Sequence, residues 1–199
     1  MVSVMKMLTM TDIRQEGDPI LRLRAKDVEL PLSKEDYETL VAMMEYILNS
    51  QNDQLATEFG LRPAVGLAAP QIGVSKKMFC MNAFDEKGET LHRYAFVNPK
   101  IMSSSEERCY VPGGEGCLSV DESKNGLVPR AKRIRVRTFL VDLAKGTIDD
   151  VMIKLSGFPA VVFQHEYDHL MGVLFIDKKQ PELPDIKPIV FYHDEETAE

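Results

Sequence analysis

Residues 158–171, FPAVVFQHEYDHLM, read as a helix whose apolar residues go nearly all the way round: Val161, Val162, Phe163, Tyr167 and Leu170. A helix without a continuous polar face does not belong to a surface layer; it is buried at the centre of a fold. Ser156 is placed to cap its start and Gly172 to close its end. The rest of the chain has to cover it.

The covering elements are short. Residues 76–82 and 91–98 read as strands joined by the turn DEKGE, and 99–111 add another. In 133–140, Arg133, Arg135 and Arg137 alternate with Ile134, Val136 and Thr138, giving a half-buried strand with a basic outer face. Val151, Ile153 and Leu155 alternate again after the Lys145-Gly146 turn, and Val173 to Ile176 suggest a further strand. Near the N-terminus, Ser33 with Asp36 resembles a capping box. Tyr37, Leu40, Val41, Met44 and Leu48 then follow helical spacing, so about 33–50 is an amphipathic helix. Residues 51–62 read as a helical turn and a loop. AVGLAAPQIG (64–73) is dominated by small residues, either a tightly packed turn or backbone that something must approach closely. With no regular βαβ alternation, the expected class is α+β: short antiparallel or mixed β-sheets packed around a central buried helix that carries HEYDH.

With 199 residues, the chain fits one domain, 1–199, with an acidic tail of about 190–199 expected to fray. The net charge of −7 argues against a phosphate-tracking surface, so the arginine row is read as a solvated sheet face rather than a nucleic-acid site. No apolar run approaches the roughly 18 residues that span a membrane. The N-terminal stretch has no basic start, apolar core or small-residue cleavage site, so no signal peptide is read. Cys80, Cys109 and Cys117 are an odd set at irregular spacing, which suits a reducing cytoplasm better than a disulfide framework.

Four residues along a helix turn about 400°, so His165 and His169 share one face and can grip one metal ion. Glu166 sits near the edge of that face, within reach of a metal-associated water. A catalytic centre of this kind has three protein ligands and one open position. Downstream, only His193 in the polar tail is a histidine. The better third ligand is upstream, in GGEGCLSV (113–120), where Cys117 offers a thiolate. Cys80, inside MFCM, and Cys109 read as small core residues.

Three segments, GLAAPQ (66–71), EGCLS (115–119) and HEYDH (165–169), resemble the three motifs of the peptide deformylases, in order. The connecting GLVPRAKRIRV and HLMGVLFID segments are similar too, so the resemblance spans about 10–180. The long segment before GLAAPQ resembles the family's second type. The resemblance implies hydrolysis of the formyl group from the N-terminal formyl-methionine of new chains, releasing formate. It implies Cys117, His165 and His169 as ligands of one divalent metal, usually Fe2+, with Ni2+, Co2+ or Zn2+ as substitutes. Glu166 is then the general base. Gln71 and the Leu118 backbone N–H hold the oxyanion, and the backbone around Val65, Gly66 and Gly116 pairs with the peptide. The methionine side chain is expected in an apolar pocket including Phe158, Val161 and Val162. Glu115 is expected to pair with Arg130 behind the Cys117 loop. The expected partners are N-formyl-methionyl peptides and, for a cotranslational substrate, the ribosome near its exit tunnel; neither DNA nor a membrane is expected, and the expected location is the cytoplasm. One departure is Ala64, where the family has glycine; a positive φ there would strain it. A structural metal site with Cys80 or Cys109 as fourth ligand, a metallopeptidase and an inactive binder of N-termini remain as rivals.

Overall fold

The computed structural model describes residues 7–124 and 126–192. Residues 193–199, which include His193 and most of the tail expected to fray, and the first six residues of the leader reading lie outside them. The elements in chain order are α1 (Lys34–Ser50), α2 (Asp53–Phe59), β1 (Gly66–Ala68), β2 (Met78–Phe84), β3 (Leu91–Ser104), β4 (Arg108–Tyr110), β5 (Arg130–Ala131), β6 (Arg133–Asp142), β7 (Thr147–Ser156), α3 (Gly157–Leu170) and β8 (Lys187–Pro188). Strands β1-β2-β3-β6-β7 form an antiparallel five-stranded sheet. A second, mixed sheet has the order β5-β4-β8, with β4 and β8 parallel. The architecture is α+β with three α-helices among the described residues.

Strand β2 explains how the layers stack. Successive side chains on a strand point to opposite faces. Met78 and Cys80 face α1, packing with Leu40, Met43 and Ile47. Phe79 and Met81 face the other way, packing with Ala160, Val162 and Phe163 of α3. The apolar run MFCM is therefore buried on both faces. Phe163 sits edge-on to Phe79 and Phe96, at 5.1 Å from each. Beyond the helices, β6 keeps its alternation: Arg133, Arg135 and Arg137 are exposed, Ile134, Val136 and Thr138 buried. Arg133 pairs with Glu107 and Arg137 with Asp150.

Helix α1 begins as expected, with the Ser33 hydroxyl accepting from the Asp36 N–H at 3.1 Å. Helix α3 does not. Ser156 stands at the N-cap, but its hydroxyl makes no capping bond. Glu86, from the β2–β3 hairpin, supplies the acceptor instead, taking the Phe158 N–H at 3.2 Å. Gly157, at φ +61°, leaves room for that carboxylate. Gly172 closes the helix at φ +73°.

Three expectations change. Residues 173–176 are not a strand: Phe175–Asp177 form a 3₁₀ turn, with Leu174 and Phe175 buried against Leu21, Cys117, Val120 and Val128. Residues 99–111 are not one strand: β3 runs on to Ser104 and β4 begins at Arg108. Residues 64–73 are not merely a turn, because Gly66–Ala68 pair with β2 at the sheet edge before a 3₁₀ turn at Ala69–Ile72. No helix among the described residues is long and apolar enough to cross a membrane.

Candidate metal centre and cleft

Helix α3 presents His165 and His169 one turn apart, ring centroids 5.2 Å from each other. The loop after β4 brings Cys117 to them. That loop is fixed by a two-way backbone bridge, Glu115 N–H to Gly126 C=O at 2.8 Å and Gly126 N–H to Glu115 C=O at 3.2 Å. Gly114, at φ +91°, lies against Gly126, where a Cβ would meet backbone at 2.8 Å. The donor atoms of Cys117, His165 and His169 all lie within 4.8 Å of one another. Among the described residues no fourth His, Cys, Asp or Glu joins them. Cys80 faces α1, bonded to the Leu40 carbonyl, and Cys109 packs beside Val161 and Ile189. Neither serves a four-ligand structural site here.

The electrostatics suit a metal. Burial alone would raise the Cys117 thiol, but the imidazoles of His169 and His165 outweigh it and hold the thiol well below its ordinary value. The thiolate is the ligating form. His165 Nδ1 bonds the Glu115 carboxylate at 2.8 Å, which leaves the other ring nitrogen to face Cys117. Glu115 is itself buried, a change that raises a carboxyl; Arg130 and His165 bring it down to about 2. Arg130 grips it two-pronged, Nε to Oε1 at 2.7 Å and Nη2 to Oε2 at 2.8 Å. The third arm of Arg130 holds Asp168 at 2.6 Å, and Lys178 closes on the same carboxylate at 2.7 Å. A mixed thiolate–imidazole set of this size fits a divalent transition metal.

Glu166 and Gln71 flank the cluster. Glu166 is buried, and its Oε2 has no hydrogen-bond partner among the described residues. Burial pushes its carboxyl up to about 7, against the pull of His165 and His169. Gln71 accepts from the Ala68 N–H through Oε1 at 2.9 Å, which turns its amide nitrogen inward, 3.4 Å from Cys117 Sγ and 3.2 Å from Ser119 Oγ. Gly66 lies directly against Glu166: a Cβ there would meet the carboxylate, with Cδ at 2.7 Å and Cγ at 2.8 Å. Gly66→Ala is expected to displace the Glu166 carboxylate while leaving the Cys117–His165–His169 cluster able to take a metal; if Glu166 takes part in the chemistry of the cleft, turnover falls roughly a hundredfold, the scale of an ångström-sized misplacement. Metal content and turnover of the purified variant, measured side by side, check this.

A cleft of about 360 Å³ opens over the cluster. Val65, Gly66, Gln71, Gly116, Cys117, Leu118, Phe158, Val161, Val162, His165 and Glu166 all border it, while His169 lies deeper. Ala64 carries no strain: Asn98 is the only described non-glycine residue at positive φ. Sequence reasoning missed Arg62, which ties the Cys117 and Leu118 carbonyls at 3.3 and 3.2 Å. It missed Val111 on the cleft wall. It also missed Asp168, although this residue lies inside HEYDH; its partner Arg130 is 38 residues away, and only the fold joins them.

Residues 10–184 match the family model described as polypeptide deformylase. The chain is 51% identical to peptide deformylase 2 of Bacillus cereus over 92% of its own length and 96% of that protein's. It is 50% identical to a peptide deformylase of Halalkalibacterium halodurans over 86% of itself and 91% of the relative. Among solved structures, the peptide deformylase of Thermotoga maritima is similar with a TM-score of 0.63 and 37% identity, covering 85% of this chain and 97% of that one. The actinonin-bound class I type b peptide deformylase of Acinetobacter baumannii is similar with a TM-score of 0.63 and 31% identity, covering 88% and 100%.

Proposed function

This chain belongs to the polypeptide deformylase family, hydrolases that remove the N-formyl group from newly made polypeptides, and we propose that Cys117, His165 and His169 hold its metal while Glu166 and Gln71 work on the formyl group. The observation that supports this reading is the convergence of three donor atoms at the cleft beside a carboxylate whose buried Oε2 has no hydrogen-bond partner among the described residues. The metal is ferrous iron, with nickel, cobalt or zinc as substitutes. When bound, it polarises a carbonyl and lowers the pKa of a water.

The chain's own groups do the rest. Glu166 takes the proton of the attacking water and later delivers it to the leaving amine nitrogen. The inward amide of Gln71 and the Leu118 backbone N–H face the formyl oxygen as charge builds on it. The N-terminal residues of the substrate lie along the open edge of β1, around Val65 and Gly66, with Gly116 opposite, as an added strand. Val111, Phe158, Val161 and Val162 take the methionine side chain. Glu115 and Arg130 hold His165 in one orientation. The whole chain acts as one catalytic domain with the histidine helix at its centre, in the cytoplasm, near the ribosome's exit tunnel.

The test is formate release from formyl-Met-Ala-Ser, with protein purified without oxygen and loaded with Fe2+ or Ni2+. Rapid release with about one metal per chain is expected. Cys117→Ala is expected to lose the metal and the activity together, seen by elemental analysis. A variant that kept its metal would overturn the ligand assignment.

A further inference from the structure

The pocket walls Phe158 and Val161 are backed by a segment that does not itself border the cleft. Residues 187–192 run behind them as a strap anchored at both ends. At one end β8 pairs with β4, and the Ile189 N–H donates to the Tyr110 carbonyl at 2.8 Å. At the other, the Tyr192 N–H donates to the Glu86 carbonyl at 2.9 Å. Glu86 is the residue whose side chain caps α3 through Phe158. Between the anchors the side chains alternate. Val190 and Tyr192 are exposed, whereas Ile189 packs on Val161 and Cys109. The Phe191 ring meets the Phe158 ring edge to face, centroids 5.1 Å apart at 73°. Each of these two pocket walls thus has one strap residue behind it.

We infer that the strap sets the specificity of the pocket for the first side chain of the substrate. Ile189 and Phe191 are positioning residues: they hold Val161 and Phe158 at the spacing that fits a long, unbranched, apolar side chain. This rests on the pocket reading given above. A hydrophobic pocket discriminates by contact along the whole side chain, so a wall free to move outward loses that contact first. Small side chains, which never reach the wall, are unaffected.

The experiment compares kcat/KM for formyl-Met-Ala-Ser and formyl-Ala-Ala-Ser, in metal-loaded wild type, Phe191→Ala, Ile189→Ala and Phe191→Leu. Both alanine variants are expected to lower the Met-to-Ala ratio roughly three- to tenfold, chiefly through the Met peptide, and Phe191→Leu to restore most of it. A strap that only stabilises the fold would lower the melting temperature and slow both peptides alike. An unchanged ratio in the two alanine variants would overturn the inference. Failure of the underlying pocket reading looks different: the wild type itself would release formate from the two peptides equally well.

Discussion

Glu166→Gln is expected to bind metal as the wild type does and to release formate about 10²–10⁴-fold more slowly, the range associated with a positioned acid–base group. The exchange is nearly isosteric, so the fit against Gly66 survives. What disappears is the ability to accept a proton. Burial has already raised this carboxyl to about 7, against the attraction of His165 and His169. The fold therefore gains little from its charge, and an amide in its place should leave the melting temperature level or slightly higher. Loss of turnover with full metal content and an unchanged melting temperature would assign Glu166 to chemistry alone. Turnover close to wild type would remove it from the mechanism.

The second large effect is expected at Arg130. Its side chain is buried, as is that of Glu115. Arg130→Ala strips Glu115 of both guanidinium bonds, whereas Asp168 keeps Lys178. The uncompensated charge left behind is thus mainly that of Glu115. Removing one partner of a buried pair costs about 3–5 kcal/mol. For a chain of this length that corresponds to a fall in melting temperature of roughly 6–20 °C. Metal affinity should drop about 10–100-fold, because Glu115, no longer fixed by the guanidinium, keeps its bond to His165 but orients it less firmly. Arg130→Lys keeps the charge without the planar fork and should fall between. Thermal unfolding and metal titration of both variants check this. An alanine variant with unchanged melting temperature and metal affinity would contradict the role given to the pair.

The parts legible in the sequence share one property: their signal is local. Ser33 and the 3.6-residue spacing after it mark α1 within a few positions. HEYDH declares its shared face through helix geometry alone. The Arg-Ile alternation of β6 is read without knowing what it packs on. The misses share the opposite property. β1, β5 and β8 are two or three residues long, and such segments become strands only because β2 and β4 lie beside them. Residues 173–176 have the composition of a strand, yet no strand among the described residues pairs with them; Asp177 caps the Leu174 N–H at 3.0 Å and the segment curls. Ser156 is a reasonable cap by type, displaced by Glu86 from 70 residues earlier. Cys117 and Gln71, singled out by the motif segments, both border the cleft, but the Arg62 tie and the Asp168 arm are long-range and left no local mark.

Gly66 has a consequence for how such an enzyme can change. It lies on the edge strand along which we propose that the substrate chain is laid, and its missing side chain is the space that Glu166 occupies. On that proposal, only bare backbone separates the surface that reads the chain from the acid that acts on it. The two functions have one residue in common and cannot be tuned separately there. Mutational drift in peptide preference has to enter by the cleft's outer positions, such as Val65, or by the strap behind Phe158. A lineage that broadened or narrowed its substrates would show its substitutions there, with position 66 left alone.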